Sequence, residues 1–60
     1  MKPQELIKLL TKEGWQIKNQ RGSHIYLVHQ TKPGKITIPY HNKDLKPGTL
    51  NSILKQAGLK

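Results

Sequence analysis

The hydrophobic period of this chain changes twice within its 60 residues. Leu6, Ile7, Leu9 and Leu10 recur at helical spacing, with Glu5, Lys8, Thr11 and Lys12 on the opposite side. Pro3 suits the first turn of a helix, where its missing N–H costs nothing. Glu5 near the start and Lys12 near the end match the helix dipole, and Gly14 reads as a left-handed stop, which predicts a helix over Pro3–Glu13. From Trp15 the period becomes two. Trp15 and Ile17 alternate with Gln16 and Lys18, Ile25 and Leu27 with His24 and Tyr26, and Ile36 and Ile38 with Lys35 and Thr37. Arg21-Gly22-Ser23 and Thr31-Lys32-Pro33-Gly34 mark the turns, and Pro39 ends the third strand. After an irregular stretch from Tyr40 to Gly48, helical spacing returns at Leu50, Ile53, Leu54 and Ala57, with Gly48 or Thr49 as the cap and Gly58 as the stop.

This order, α-β-β-β-α, predicts an α+β fold. A three-stranded antiparallel sheet carries both helices on one face, because two amphipathic helices and a one-sided apolar sheet bury each other. Residues 1–60 make one domain, too small for a second lobe or a deep substrate cavity. Trp15, Ile17, Ile25, Leu27, Ile36 and Ile38 are expected to face the helices. Gln16, Lys18, His24, Tyr26, Lys35 and Thr37 are expected to face outward. The lack of cysteine removes disulfides, thiolate nucleophiles and cysteine-based metal sites, and fits the cytoplasm. No apolar run reaches the roughly 20 residues of a membrane span, and the first ten residues are too short and acidic for a signal peptide.

Eleven Lys and Arg against three Asp and Glu give a net charge of +8. Such a surface concentrates near polyanions, with nucleic acid first among them, then anionic lipid, then an acidic protein. Lys18, Arg21, Lys32 and Lys35 cluster around the strands and turns, with Lys43 and Lys46 in the later loop, and together can track phosphates. Tyr26, on the outer sheet face, can stack on a base or ribose, and Tyr40 can do so or cover the core. Lys8, Lys12, Lys55 and Lys60 read as the solvated backs of helices, and Trp15 as a core anchor.

The chemistry centres on Gly22-Ser23-His24. Glycine permits a sharp entry to the strand, serine can touch a phosphate, and histidine emerges on the outer face. An imidazole can accept and donate a proton near neutral pH. It can take the proton of a ribose 2′-OH as that oxygen attacks phosphorus, or protonate the departing 5′ oxygen. A neighbouring Lys or Arg then stabilises the developing charge. The competing reading is a surface histidine at a strand start, or one that caps local backbone, with no chemistry to do. His41, in the irregular loop, ranks second as an assisting group, and His29, at a strand end, ranks third. A metal site is not expected: Glu5, Glu13 and Asp44 are the only carboxylates, and no His-x-x-x-His or Asp-x-Asp spacing occurs. No phosphate-binding glycine loop is present either, so no cofactor is expected.

Taken in order, Gly14-Trp15, Arg21-Gly22-Ser23-His24, Pro33-Gly34, Ile36-Thr37-Ile38-Pro39 with His41, and Gly48-Thr49-Leu50 leading to Ile53-Leu54-Lys55-Gln56-Ala57-Gly58 resemble the HicA family of bacterial toxins, small mRNA interferases. The resemblance covers nearly the whole chain. It implies a fold like that of double-stranded-RNA-binding domains and metal-independent cleavage of mRNA, with His24 catalytic. It also implies a HicB-type antitoxin partner that blocks the toxin. The RNA-contacting set expected from the residues is Lys18, Arg21, Gly22, Ser23, Tyr26 and Lys35. The rival function is an RNA-binding module that does not cut, and a third is a domain whose basic face only docks an acidic protein.

Overall fold

The computed structural model describes residues 1–60 as helix α1 (Pro3–Lys12), strands β1 (Trp15–Arg21), β2 (His24–His29) and β3 (Lys35–Pro39), and helix α2 (Pro47–Gln56). The strands form an antiparallel meander in the order β1-β2-β3. The helices cover one face. Leu6 and Leu10 of α1 and Ile53 of α2, with Ala57 just beyond it, close over Trp15, Ile25, Leu27, Ile36 and Ile38. The expected element order, and the burial of five of the six strand residues assigned to the core, are borne out. No helix is long and apolar enough to cross a membrane.

The first helix starts with Pro3 at its first turn. The Glu5 carboxylate accepts the Lys2 backbone N–H at 3.0 Å, which satisfies one donor at the helix start. Gly14, at φ +97°, turns the chain out of the helix as expected. At the other end of the chain Gly58, at φ +76°, lets Leu59 N–H bond back to the Leu54 carbonyl at 2.9 Å. The second helix begins earlier than expected. Lys46 occupies the cap position and Pro47 the first turn, not Gly48 or Thr49, because proline's fixed φ suits the first helical position and its missing N–H is one that position leaves unbonded anyway. The segment from Tyr40 to Lys46 is irregular but anchored. Leu45 inserts into the core at 6% exposure, and its N–H bonds to the Met1 carbonyl at 2.9 Å.

Two expectations fail on β1. A β-bulge lies between Ile17, which pairs with Leu27, and Asn19, which pairs with Tyr26. Lys18 is the extra residue, so the expected alternation that sent it outward does not run through it. Ile17 stays on the helix-facing side but is 53% exposed, because β1 is an edge strand that α1 only partly covers. Tyr40 joins it there. With Gln4, Ile7, Gln20 and Ile25 it lines a groove of about 370 Å³ on the helix side, away from the outer sheet face, and at 37% exposure it is not part of the core.

His29 is a structural residue. Its Nδ1 accepts the backbone N–H groups of Thr31 (3.1 Å) and Lys32 (3.3 Å), which leaves the proton on Nε2, donated to the Glu13 carbonyl at 3.1 Å. The ring meets Trp15 edge-on, centroids 5.2 Å apart. A Cβ at position 14 would sit 2.7 Å from that same Nε2. Gly14→Ala therefore meets a positive φ and a ring that cannot yield. We expect it to cost about 1–3 kcal/mol, combining the left-handed penalty with the loss of a hydrogen bond. In a domain this size that lowers the melting temperature by roughly 10 °C, readable by circular dichroism. A melting temperature within about 2 °C of wild type, well under the shift for 1 kcal/mol, would contradict this role for the contact.

Candidate active site

The two residues between β1 and β2 set the site. Gly22 has φ +55° while Ser23 has a negative φ, so glycine occupies the first central position of a two-residue hairpin. The tight turn fixes Arg21 directly opposite His24. Directly opposed residues share a sheet face with Cβ atoms about 5 Å apart. On the other side His24 pairs with Pro39. Proline donates nothing to the ladder, and the Ser23 carbonyl instead accepts the Tyr40 N–H at 2.6 Å, which ties the turn to the end of β3. His24 is thus an exposed ring on a backbone held from both sides.

The face away from the helices carries three cross-strand rows. Arg21, His24 and Pro39 form one, Asn19, Tyr26 and Thr37 the second, and Val28 and Lys35, with Gln16, the third. Lys35 Nζ lies 5.0 Å from the centroid of the Tyr26 ring, a cation–π contact that links the second and third rows. Asn19, Arg21, Tyr26 and Lys35 line a pocket of about 290 Å³ on this face. The three carboxylates of the chain lie elsewhere: Glu5 on α1, Glu13 just after it, and Asp44 4.0 Å from the Met1 amino group. The face therefore presents positive charge and hydrogen-bond donors with no carboxylate among its cross-strand rows. No cluster of three or more His, Cys, Asp or Glu side chains is close enough to hold a metal ion.

Of the residues singled out from sequence, Arg21, His24, Tyr26 and Lys35 share this face, with Gly22 and Ser23 forming the turn above it. Lys18 is exposed in the bulge, outside the paired rows. Lys32 does not serve the face. Its Nζ donates to the Ala57 carbonyl at 2.8 Å, capping the negative end of α2. His41 lies in the loop after β3, where its Nδ1 accepts the Lys43 N–H at 3.2 Å. His29 stands at the opposite end of β2 from His24, about 17 Å along the strand. Asn19 is absent from the set expected from sequence. Simple alternation from Trp15 puts it on the helix side, and only the bulge brings it outward.

A family model described as the HicA toxin of bacterial toxin–antitoxin systems matches residues 3–59. No curated protein matches the chain significantly. Among solved structures, a chain of a HicA3 and HicB3 toxin–antitoxin complex is 41% identical, with a TM-score of 0.80 over 100% of this chain and 97% of that one. A match over nearly every residue, joined to the same fold at that identity, means that this chain belongs to the HicA family of toxins from bacterial toxin–antitoxin systems.

Proposed function

We propose that the protein is an endoribonuclease that cuts mRNA in the cytoplasm through His24 without a metal ion. The observation that carries the reading is exposed His24 paired directly across the hairpin with Arg21, on a face that also presents Lys35. An RNA phosphodiester supplies its own nucleophile. His24 takes the proton of the 2′-OH, the 2′ oxygen bonds to phosphorus, and the bond to the 5′ oxygen breaks. That oxygen leaves with a proton, either returned by His24 or supplied by a second donor such as water or His41. The products are a 2′,3′-cyclic phosphate and a 5′-hydroxyl end. Arg21 offers a planar pair of donors to the phosphate as its charge grows, and Lys35 adds a second cation. Lys18, Gly22 and Ser23 contribute backbone and side-chain contacts to flanking phosphates. The substrate is single-stranded RNA, because the chemistry needs a linkage whose sugar can rotate into line, which a duplex resists.

The structural relative was solved in complex with HicB3, which supports a HicB-type antitoxin as the partner of this chain. Covering the outer sheet face would hide His24 and its cations together, which is sufficient for inhibition.

The test is end-labelled mRNA incubated with the protein in low salt and excess EDTA. Cleavage into fragments with 2′,3′-cyclic phosphate ends is expected, at a rate that EDTA leaves unchanged. Intact RNA in a shifted band would instead make the protein a binding module, and a strict divalent requirement would replace the histidine mechanism.

A further inference from the structure

We propose that the pocket between Asn19, Arg21, Tyr26 and Lys35 binds one nucleobase beside the cleaved linkage, and that the Asn19 amide selects which base enters. The bulge at Lys18 builds this subsite. The proposal rests on the ribonuclease reading given above and deepens it.

The side on which each β1 residue lies shows what the bulge does. Ile17 and Gln20 both line the helix-side groove, although three positions apart, whereas Asn19 and Arg21 line the outer pocket. A regular strand cannot do this, because residues on one face are separated by even numbers. Inserting Lys18 moves Asn19 and Arg21 together onto the face of His24 and Tyr26, while Trp15 keeps its place in the core. Bulges that re-aim side chains are characteristic of functional edges.

What gathers there has the chemistry of base recognition. At about 290 Å³ the pocket lies at the small end of ligand sites, which begin near roughly 300 Å³, and its size suits one base. Tyr26 offers an aromatic ring, and a base stacking on it displaces the Lys35 ammonium that lies 5.0 Å from its centroid toward the adjoining phosphate; such stacking stabilises any unpaired base. Arg21 and Lys35 hold the adjoining phosphates. These three groups are indifferent to sequence. Asn19 is not, because its amide presents a donor and an acceptor side by side and matches an edge that offers the complementary pair. It is exposed, and it stands directly opposite Tyr26, one row from His24. Base choice and proton transfer are thereby set by neighbouring rungs of one ladder.

The test uses short RNA oligonucleotides identical except for the nucleotide on one side or the other of the cleaved bond. Wild type, Asn19→Ala and Asn19→Asp are compared by cleavage rate. Wild type should prefer one base at one of these positions by about 5- to 150-fold, the range for one bidentate contact. Asn19→Ala should flatten that preference while still cutting. Asn19→Asp, with acceptors and no donor, should move it toward bases that present an amino group. Melting curves should be unchanged, since the side chain is exposed. An unchanged preference in both variants overturns the subsite and leaves the ribonuclease reading standing. A wild type indifferent to base overturns it equally, as does a loss of rate that is the same across all oligonucleotides. A wild type that cuts none of them, nor longer mRNA, overturns both.

Discussion

His24→Ala should lower RNA cleavage by about 10²- to 10⁴-fold, the usual contribution of a positioned general acid or base. The fold should survive. The ring is exposed, and surface substitutions of this kind stay within about 0.5 kcal/mol. RNA affinity should survive too, because the phosphate contacts proposed above are assigned to Arg21, Lys35 and Lys18, and such contacts dominate nucleic-acid binding. The three readouts together separate chemistry from structure: cleavage rate by gel, melting by circular dichroism, and binding by filter retention at low salt. A variant that cuts at the wild-type rate removes His24 from the mechanism and moves attention to His41. A variant that is unfolded would contradict the exposure of the ring. The expected pattern, with rate lost and both other quantities kept, follows from the hairpin. Gly22 and Ser23 fix the backbone and Arg21 holds the paired position across the hairpin, so removing the imidazole leaves the surroundings intact.

Much of this arrangement is legible in the residues. The two changes of period fix the element order, and the Gly-Ser turn before His24 fixes its exposure at a strand start. The bulge is legible as well, but only by counting from both ends of β1. A two-residue turn pairs Arg21 with His24 and puts Arg21 outward. Counting down by twos from Arg21 would put Trp15 outward also, yet Trp15 is far too apolar for that face. The conflict is one residue wide, which is the signature of an inserted residue. Alternation read from Trp15 alone misses it, and with it Asn19. Other features have no local signal. Leu45 reaches the core from an irregular loop, a burial decided by where that loop crosses the helices. Lys32 looks like any other cation of the turn, and its bond to the end of α2 joins residues 25 positions apart. His29 resembles a solvated strand-end residue until the fold brings the Glu13 carbonyl to its Nε2, while the following turn folds the Thr31 and Lys32 N–H groups onto its Nδ1.

Trp15→Ala should unfold most of the protein at 37 °C. The indole is 1% exposed and is among the largest fully buried side chains of a ten-residue core. Truncating a buried tryptophan to alanine costs about 3–5 kcal/mol. A 60-residue domain holds only about 3–9 kcal/mol in total, at 0.05–0.15 kcal/mol per residue. The loss also extends beyond the cavity. Trp15 supports the edge of His29, and His29 organises Glu13, Thr31 and Lys32, so the α1–β1 junction and the β2–β3 turn would loosen together. Trp15→Phe should be much milder. Indole Nε1 is buried with no hydrogen-bond partner, so phenylalanine removes an unsatisfied donor, worth about 1–3 kcal/mol, while giving up some volume. The two effects oppose, and a net loss under about 2 kcal/mol is expected for the aromatic replacement. Urea denaturation of both variants checks this. A Phe variant as unstable as the Ala variant would mean that the indole N–H has a partner in solution, and an Ala variant that melts like wild type would remove Trp15 from the centre of the core. If the expected order holds, the bulge gains its second explanation. Trp15 must point inward for the chain to fold, and Arg21 must point outward to face His24, so one strand can serve both only by carrying an odd residue between them.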